Sequence, residues 1–360
     1  MHTFPTPARS WLATSGTAAA LAAMITLGPS APAFGTDIPG TQPARIDTTQ
    51  RTGARTERLQ VYSPAMDRDI TVEVQPAADR TRPHPVLYLL NGGGGGEDGA
   101  TWQQNTDVLN FLASKNVTVV QPVGGQWSYY TDWRAPDPVL GVNKWTTFLT
   151  RELPPVIDAS YDNRGVNAIA GLSMSGTSVL QLAVAEPGLY RAVAAFSGCA
   201  RVSDPMGQTF IRLTVETWGH GDTTNMYGPP DDPMWAANDP YLHADRLRGT
   251  KLFLATGTGL PGRHDSLGGP HIKPGPNGYL DQVIGGGAIE AAVNRCTQQM
   301  RDRLNALGIP ATYNFDSTGT HSWGTGRTTS GGPGRRWQTG SASRAETGGG
   351  GPDRAPDHHH

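Results

Sequence analysis

Apolar residues recur along this chain in two rhythms, short runs of β-branched and aromatic residues and longer stretches with helical spacing. Leu59-Gln60-Val61-Tyr62 and Ile70-Thr71-Val72-Glu73-Val74 alternate apolar and polar positions, which predicts the two strands of a hairpin. Pro85-Val86-Leu87-Tyr88-Leu89-Leu90 is apolar throughout, the pattern of a strand covered on both faces. Residues 117–120, 166–170, 192–196, 251–255 and 313–315 read as further strands, and 107–114, 146–158, 177–185 and 289–307 as helices. This alternation predicts an α/β fold with a mostly parallel central sheet and helices on both faces. The stretch 201–250, with Pro229-Pro230-Asp231-Asp232-Pro233, reads as an insertion over the top of the sheet, and no internal repeat is found.

The two ends break these rhythms. Arg9, an apolar segment from Trp11 to Leu27 and the small residues Ala31-Pro32-Ala33 have the layout of a signal peptide over residues 1–33. No later run reaches about 18 apolar residues, so no transmembrane segment is expected in the mature chain. Residues 34–56 are polar and aperiodic and are expected to be a flexible mature N-terminus. The folded domain is then 57–323. From Gly324 to His360 there is no Val, Ile, Leu or Phe, and disorder is expected.

Composition narrows the function. The chain has 360 residues, with 46 Gly and 29 Pro, which suits a loop-rich enzyme better than a helical bundle. A net charge of -2 gives no reason to expect nucleic acid as a partner. The only cysteines, Cys199 and Cys296, form an even pair in a chain expected to be exported, which favours a disulfide. That bridge would tie the helix carrying Glu290 to the sheet. The terminal His358-His359-His360 is excluded as a metal site, and no metal or organic cofactor is expected.

The candidate chemistry centres on Gly171-Leu172-Ser173-Met174-Ser175-Gly176, which stands between a predicted strand and a predicted helix. A serine flanked by glycines there is the layout of a nucleophile elbow, although Ser175 occupies the usual second-glycine position. A serine hydroxyl needs a histidine to take its proton and an acid to orient that histidine. In chain order serine, acid, histidine, His321 fits the last place better than His220, His243, His264 or His271. Glu290, Asp281, Asp265 and Asp239 remain open as the acid. The amide of Met174 and one from the loop Asn91-Gly92-Gly93-Gly94-Gly95-Gly96 are candidates for stabilising an oxyanion. A phosphate-cradling role for that loop lacks the G-K-[ST] or G-x-G-x-x-G context.

Longer phrases carry a resemblance. Leu59 to Ile70 (LQVYSPAMDRDI), Tyr88-Leu89-Leu90-Asn91-Gly92, Pro122 to Trp133 (PVGGQWSYYTDW), Lys144-Trp145, Glu152-Leu153-Pro154, the elbow, Asn225 to Pro229, Asn238-Asp239-Pro240 and Gly319-Thr320-His321-Ser322-Trp323 occur in order. Over about residues 57–323 the chain resembles the secreted mycolyltransferases, the antigen 85 complex of mycobacteria and its corynebacterial and nocardial relatives. The resemblance implies an α/β-hydrolase fold and a Ser173, Glu290, His321 triad, which selects Glu290 among the acids. It implies oxyanion amides at Met174 and Gly93, and substrate contacts at Asn91, Gly92, Trp102 and Trp323.

Two departures stand out. Mycobacterial members have Asp where this chain has Asn91, and Arg two or three residues on where it has only glycine. The family continues past His-Ser-Trp with an aromatic-rich helical segment, and here a hydrophilic sequence follows. Three functions are therefore weighed. The first is transfer of a mycolyl group from trehalose monomycolate to a second such molecule or to cell-wall arabinan. The others are a secreted carboxylesterase and a non-catalytic cell-envelope protein with fibronectin as its partner.

Overall fold

The computed structural model describes residues 42–163, 165–269 and 272–325. Residues 1–33, nearly all of the tail and His271 lie outside them. Among the described residues nine strands form one sheet: β1 (Arg45–Arg51), β2 (Glu57–Ser63), β3 (Arg68–Gln75), β4 (Val86–Leu90), β5 (Thr118–Val123), β6 (Asn167–Leu172), β7 (Tyr190–Phe196), β8 (Lys251–Thr256) and β9 (Ala311–Phe315). Their order is β1-β2-β3-β5-β4-β6-β7-β8-β9. From β5 to β9 every neighbouring pair is parallel, and β1, β2 and β3 extend one edge in antiparallel fashion.

The sheet is covered on both faces, as the uninterrupted apolar run of β4 requires. Its Val86, Tyr88 and Leu90 face one core with Ile169, Val193 and Leu254, while Leu87 and Leu89 face a second with Val119, Ala170 and Phe196. The helix Met174–Ala185 packs on the first face through Val179 and Leu180, and the helix Val108–Ala113 places Leu112 on the second. This is the mostly parallel, doubly covered sheet expected from the alternation of elements, in the α/β-hydrolase layout that the resemblance implies.

One expectation is corrected. Residues 45–51, placed in a flexible leader, form β1 and pair with β2 from Arg45–Tyr62 to Arg51–Glu57. Apart from the partly buried Ile46, β1 adds little to the core. It is held by backbone hydrogen bonds and a turn in which the Thr52 amide donates to the Thr56 carbonyl at 2.9 Å. A strand polar on both faces shows no alternation, so its sequence carries no period-2 signal.

The stretch 201–250 leaves the end of β7 and returns at β8 as short helices. It is tied to the elbow helix by Gln181, whose Nε2 donates to the Tyr227 hydroxyl at 3.0 Å and to the Asn238 carbonyl at 2.9 Å.

Candidate active site

Parallel strands carry their functional loops at their carboxyl ends, and four chemically active side chains gather there. Ser173 follows β6, Ser197 follows β7, Thr256 ends β8 and His321 lies six residues beyond β9. Ser173 has φ 56° and ψ -122°, a conformation that an L-residue holds only under tertiary constraint. The constraint is visible. Its amide donates to the Phe196 carbonyl at 2.9 Å. A Cβ on Gly171 would stand 2.4 Å from the Ser175 carbonyl, and one on Gly176 would stand 2.6 Å from that of Phe196. Ser175, the departure from the usual elbow spelling, turns inward. Its Oγ accepts from the Leu172 amide at 2.9 Å and lies 3.0 Å from the Leu90 carbonyl.

The Ser173 Oγ lies 2.7 Å from His321 Nε2, and His321 Nδ1 lies 2.7 Å from Glu290 Oε2. Glu290 is fully buried on the helix Gly287–Ala306. Its second oxygen accepts from Ser197 Oγ at 2.7 Å, Thr256 Oγ1 at 2.8 Å and the Gly257 amide at 2.7 Å. Burial pushes the carboxyl's pKa up. The hydrogen bond and charge of His321, with Ser197 and Thr256, outweigh that and hold it below the ordinary value. Glu290 is thus a buried anion with every near neighbour a donor, able to fix the imidazole tautomer and to stabilise an imidazolium.

The rival acids have other duties. Asp265 is buried one step away. It accepts from the Thr320 hydroxyl, from the Thr320 amide at 3.3 Å and from the Gly262 amide at 2.8 Å. Gln282 donates to Thr320 Oγ1 at 2.7 Å and to the His321 carbonyl at 3.2 Å, so Asp265 and Gln282 together fix the histidine's loop. Asp239 is buried among the Val202, Ser203 and Tyr241 amides, and Asp281 is exposed. His243 bonds the Ala236 carbonyl at 3.0 Å instead of approaching the serine. The helpers Ser197, Thr256 and Gln282 were not foreseen, and Asp265 was named only as a candidate for the acid. For the first two, their place at the carboxyl ends of β7 and β8 was the available signal.

The glycine loop runs beside the serine. A Cβ on Gly92 would be 3.8 Å from that of Ser173, and one on Gly93 would strike the Trp127 ring at 2.5 Å. The amide of Met174 is the first of its helix, so it has no carbonyl one turn back within that helix.

Two of the expected substrate contacts lie inside the fold. Asn91 is buried, with its Nδ2 donating to the Pro122 carbonyl at 3.4 Å and its Oδ1 accepting from the Trp102 amide at 3.4 Å. Trp102 is buried too, and its indole N–H donates to the Leu90 carbonyl at 2.8 Å. Both residues brace the loop from within. Trp323 is half-buried and meets Trp102 edge to face, with centroids 6.0 Å apart.

Cys199 and Cys296 are joined in a disulfide, as expected. It links the segment after Ser197 to the helix of Glu290. Among the described residues no group of three or more His, Cys, Asp or Glu side chains is placed to hold a metal ion, and no helix is long and apolar enough to cross a membrane.

Comparison with known proteins matches residues 63–268 to the esterase family. The diacylglycerol acyltransferase/mycolyltransferase Ag85A of Mycobacterium leprae is 34% identical over 291 residues, covering 79% of this chain and 82% of the relative. The Ag85A protein of Mycobacterium tuberculosis is 36% identical over 285 residues, covering 76% and 78%. Among solved structures, Mycobacterium tuberculosis MPT51 (FbpC1) superposes with a TM-score of 0.62 at 27% identity, covering 76% of this chain and 94% of that one. A serine hydrolase of Staphylococcus aureus, FphF, shares the fold with a TM-score of 0.55 at 15% identity.

Proposed function

The chain belongs to the esterase family and, within it, to the Ag85 acyltransferase/mycolyltransferases, and from that premise we propose that it moves a mycolyl group between sugar hydroxyls through an acyl-enzyme on Ser173. The observation that carries the proposal is the unbroken relay from Ser173 Oγ to His321 to Glu290, with 2.7 Å at each step. His321 Nε2 takes the proton of Ser173 as its oxygen attacks the ester carbonyl of trehalose monomycolate. The amides of Met174 and Gly93 meet the developing oxyanion. His321 returns the proton to the departing trehalose oxygen. A hydroxyl of a second trehalose monomycolate, or of cell-wall arabinan, then gives its proton to His321 and takes the acyl group, and His321 passes that proton to the Ser173 oxygen as its ester bond breaks. Trp323, beside His321, borders the sugar. The reaction so written draws only on protein groups.

A carboxylesterase is the second reading, and one observation favours it. Gly92, Gly93 and Gly94 carry no side chain and Asn91 is occupied, so this loop offers no polar side chain to an acceptor sugar. A purely binding role leaves the complete relay without purpose. We place the reaction outside the cell, on the strength of the expected signal peptide.

The experiment is incubation of the purified chain with trehalose monomycolate, with and without free trehalose, and separation of the products. Trehalose dimycolate supports transfer, free mycolic acid alone supports hydrolysis, and unchanged substrate refutes both.

A further inference from the structure

Trp127, Tyr129 and Tyr130 have φ of 57°, 56° and 49°, three bulky residues in the left-handed region within four positions. Such residues avoid that region, and a cluster of them persists only where the surroundings over-determine the backbone. The surroundings here are of two kinds. From beneath, Ser128 Oγ donates to the Gly125 carbonyl at 2.6 Å and accepts from the Tyr130 amide at 3.1 Å. The Trp133 indole donates to the Ser128 carbonyl at 3.0 Å, and the Tyr130 and Trp145 rings meet edge to face at 5.4 Å.

From above, the same turn touches both residues whose amides the proposed reaction uses. The Trp127 amide donates to the Gly93 carbonyl at 2.7 Å, and the Gly124 amide donates to the Gly95 carbonyl at 2.9 Å. The benzo edge of Trp127 lies against the Gly93 backbone, so that a Cβ there would meet three ring carbons between 2.5 and 3.3 Å. Two residues on, the Tyr129 amide points at the Met174 sulfur at 3.3 Å. Trp127 is held on its outer side by Trp218, with centroids 6.3 Å apart, and by Gly219, where a Cβ would come within 2.6 Å of the Trp127 Cβ.

We propose that the turn Trp127–Tyr130 is a brace that sets the spacing between the amides of Gly93 and Met174, with Trp127 and Tyr129 as positioning residues. The inference rests on the oxyanion role given to those amides above. It also explains why the loop is bare at Gly93, since the indole fills the space that a side chain there would need. An amide pair is effective only at hydrogen-bond distance from the oxyanion, so loosening one arm is felt in the transition state and not in ground-state binding.

The test measures hydrolysis of p-nitrophenyl butyrate and the inhibition constant of an alkyl trifluoromethyl ketone, whose serine adduct carries the oxyanion. Trp127→Leu should lower kcat about 10- to 100-fold with KM within about twofold, and should weaken the ketone by the same factor. Trp127→Phe, whose shorter ring keeps the turn filled but lacks the outer indole carbons nearest Gly93, should stay within about threefold. Gly93→Ala should cost about 100-fold or more in kcat, and about tenfold less than that in a Trp127→Leu or Trp127→Phe background, where the ring edge that its methyl strikes is gone. The proposal is overturned if kcat is unchanged in Trp127→Leu, if KM rises with kcat held, or if ketone affinity stays fixed while kcat falls. Equal cost of Gly93→Ala in all three backgrounds overturns it as well, and that comparison decides the matter through Trp127→Phe if Trp127→Leu does not melt cooperatively. Ser173→Ala run in parallel separates the two levels. If it retains turnover, the site reading falls and the brace with it. If it is inactive while the Trp127 variants behave as wild type, the brace alone falls.

Discussion

Replacing both cysteines with alanine removes a cross-link between residues 97 apart in sequence. On the chain-entropy model a closed loop of that length restricts the unfolded state by about 4.7 kcal/mol at 25 °C. With an unfolding entropy of about 2.1 cal/mol/K per residue over about 280 described residues, that loss corresponds to a melting temperature lower by about 8 °C. The consequence extends to the site. Cys296 lies six residues after Glu290 on one helix. Cys199 lies two residues after Ser197, and its carbonyl accepts from Thr177 of the elbow helix at 2.8 Å. Loosening this tie frees the acid's helix relative to the elbow, so kcat should fall along with stability. Calorimetry of wild type and Cys199→Ala/Cys296→Ala measures the first effect. Alkylation without reductant followed by mass spectrometry checks the bond itself. A melting temperature lower by less than about 2 °C, or two labelled thiols in the native protein, refutes the reasoning.

Glu290→Gln keeps the shape of the acid but removes its charge and turns one of its two accepting oxygens into an N–H donor, so kcat should fall about 10³- to 10⁴-fold in steady-state kinetics. Because the folded pKa of Glu290 lies below its ordinary 4.5, its contribution to stability is present above 4.5 and lost as pH falls through the folded value. Melts across that window should therefore slope more steeply for wild type than for Glu290→Gln. Gly176→Ala places a methyl 2.6 Å from the Phe196 carbonyl at the elbow and should cost about 1–3 kcal/mol in urea unfolding. An unchanged midpoint would show that helix and strand do not approach so closely.

The sheet was legible because burial on both faces leaves a plain mark. Val86 to Leu90 has no polar residue, and its side chains divide between two cores. Strand β1 was illegible because backbone pairing alone holds it, and the pairing partner is not written in the strand itself. At the site, the Gly171–Gly176 spelling marked the serine, and chain order marked the histidine. The acid was not separable from Asp265 by order, because both are buried and both serve His321, one through Nδ1 and one through the neighbouring Thr320. Asn91 and Trp102 pose a related difficulty. A polar or aromatic residue beside a catalytic loop has the same letters whether it faces a ligand or braces the loop from within. Trp127 stands inside a matching phrase, and nothing in its letters singles it out. The bracing role proposed for it rests on a backbone conformation and on contact with a glycine more than thirty residues earlier, neither of which sequence spacing can show.

The most direct test of the account is intact-protein mass spectrometry after rapid acid quench of a reaction with a p-nitrophenyl acyl ester. Wild type should gain the mass of one acyl group, carried on the peptide containing Ser173. Added trehalose should speed loss of that mass and release acylated trehalose. Ser173→Ala should show no adduct and retain only the residual rate left by binding and oxyanion effects. An adduct on another residue, or near-full turnover by Ser173→Ala, would contradict the account.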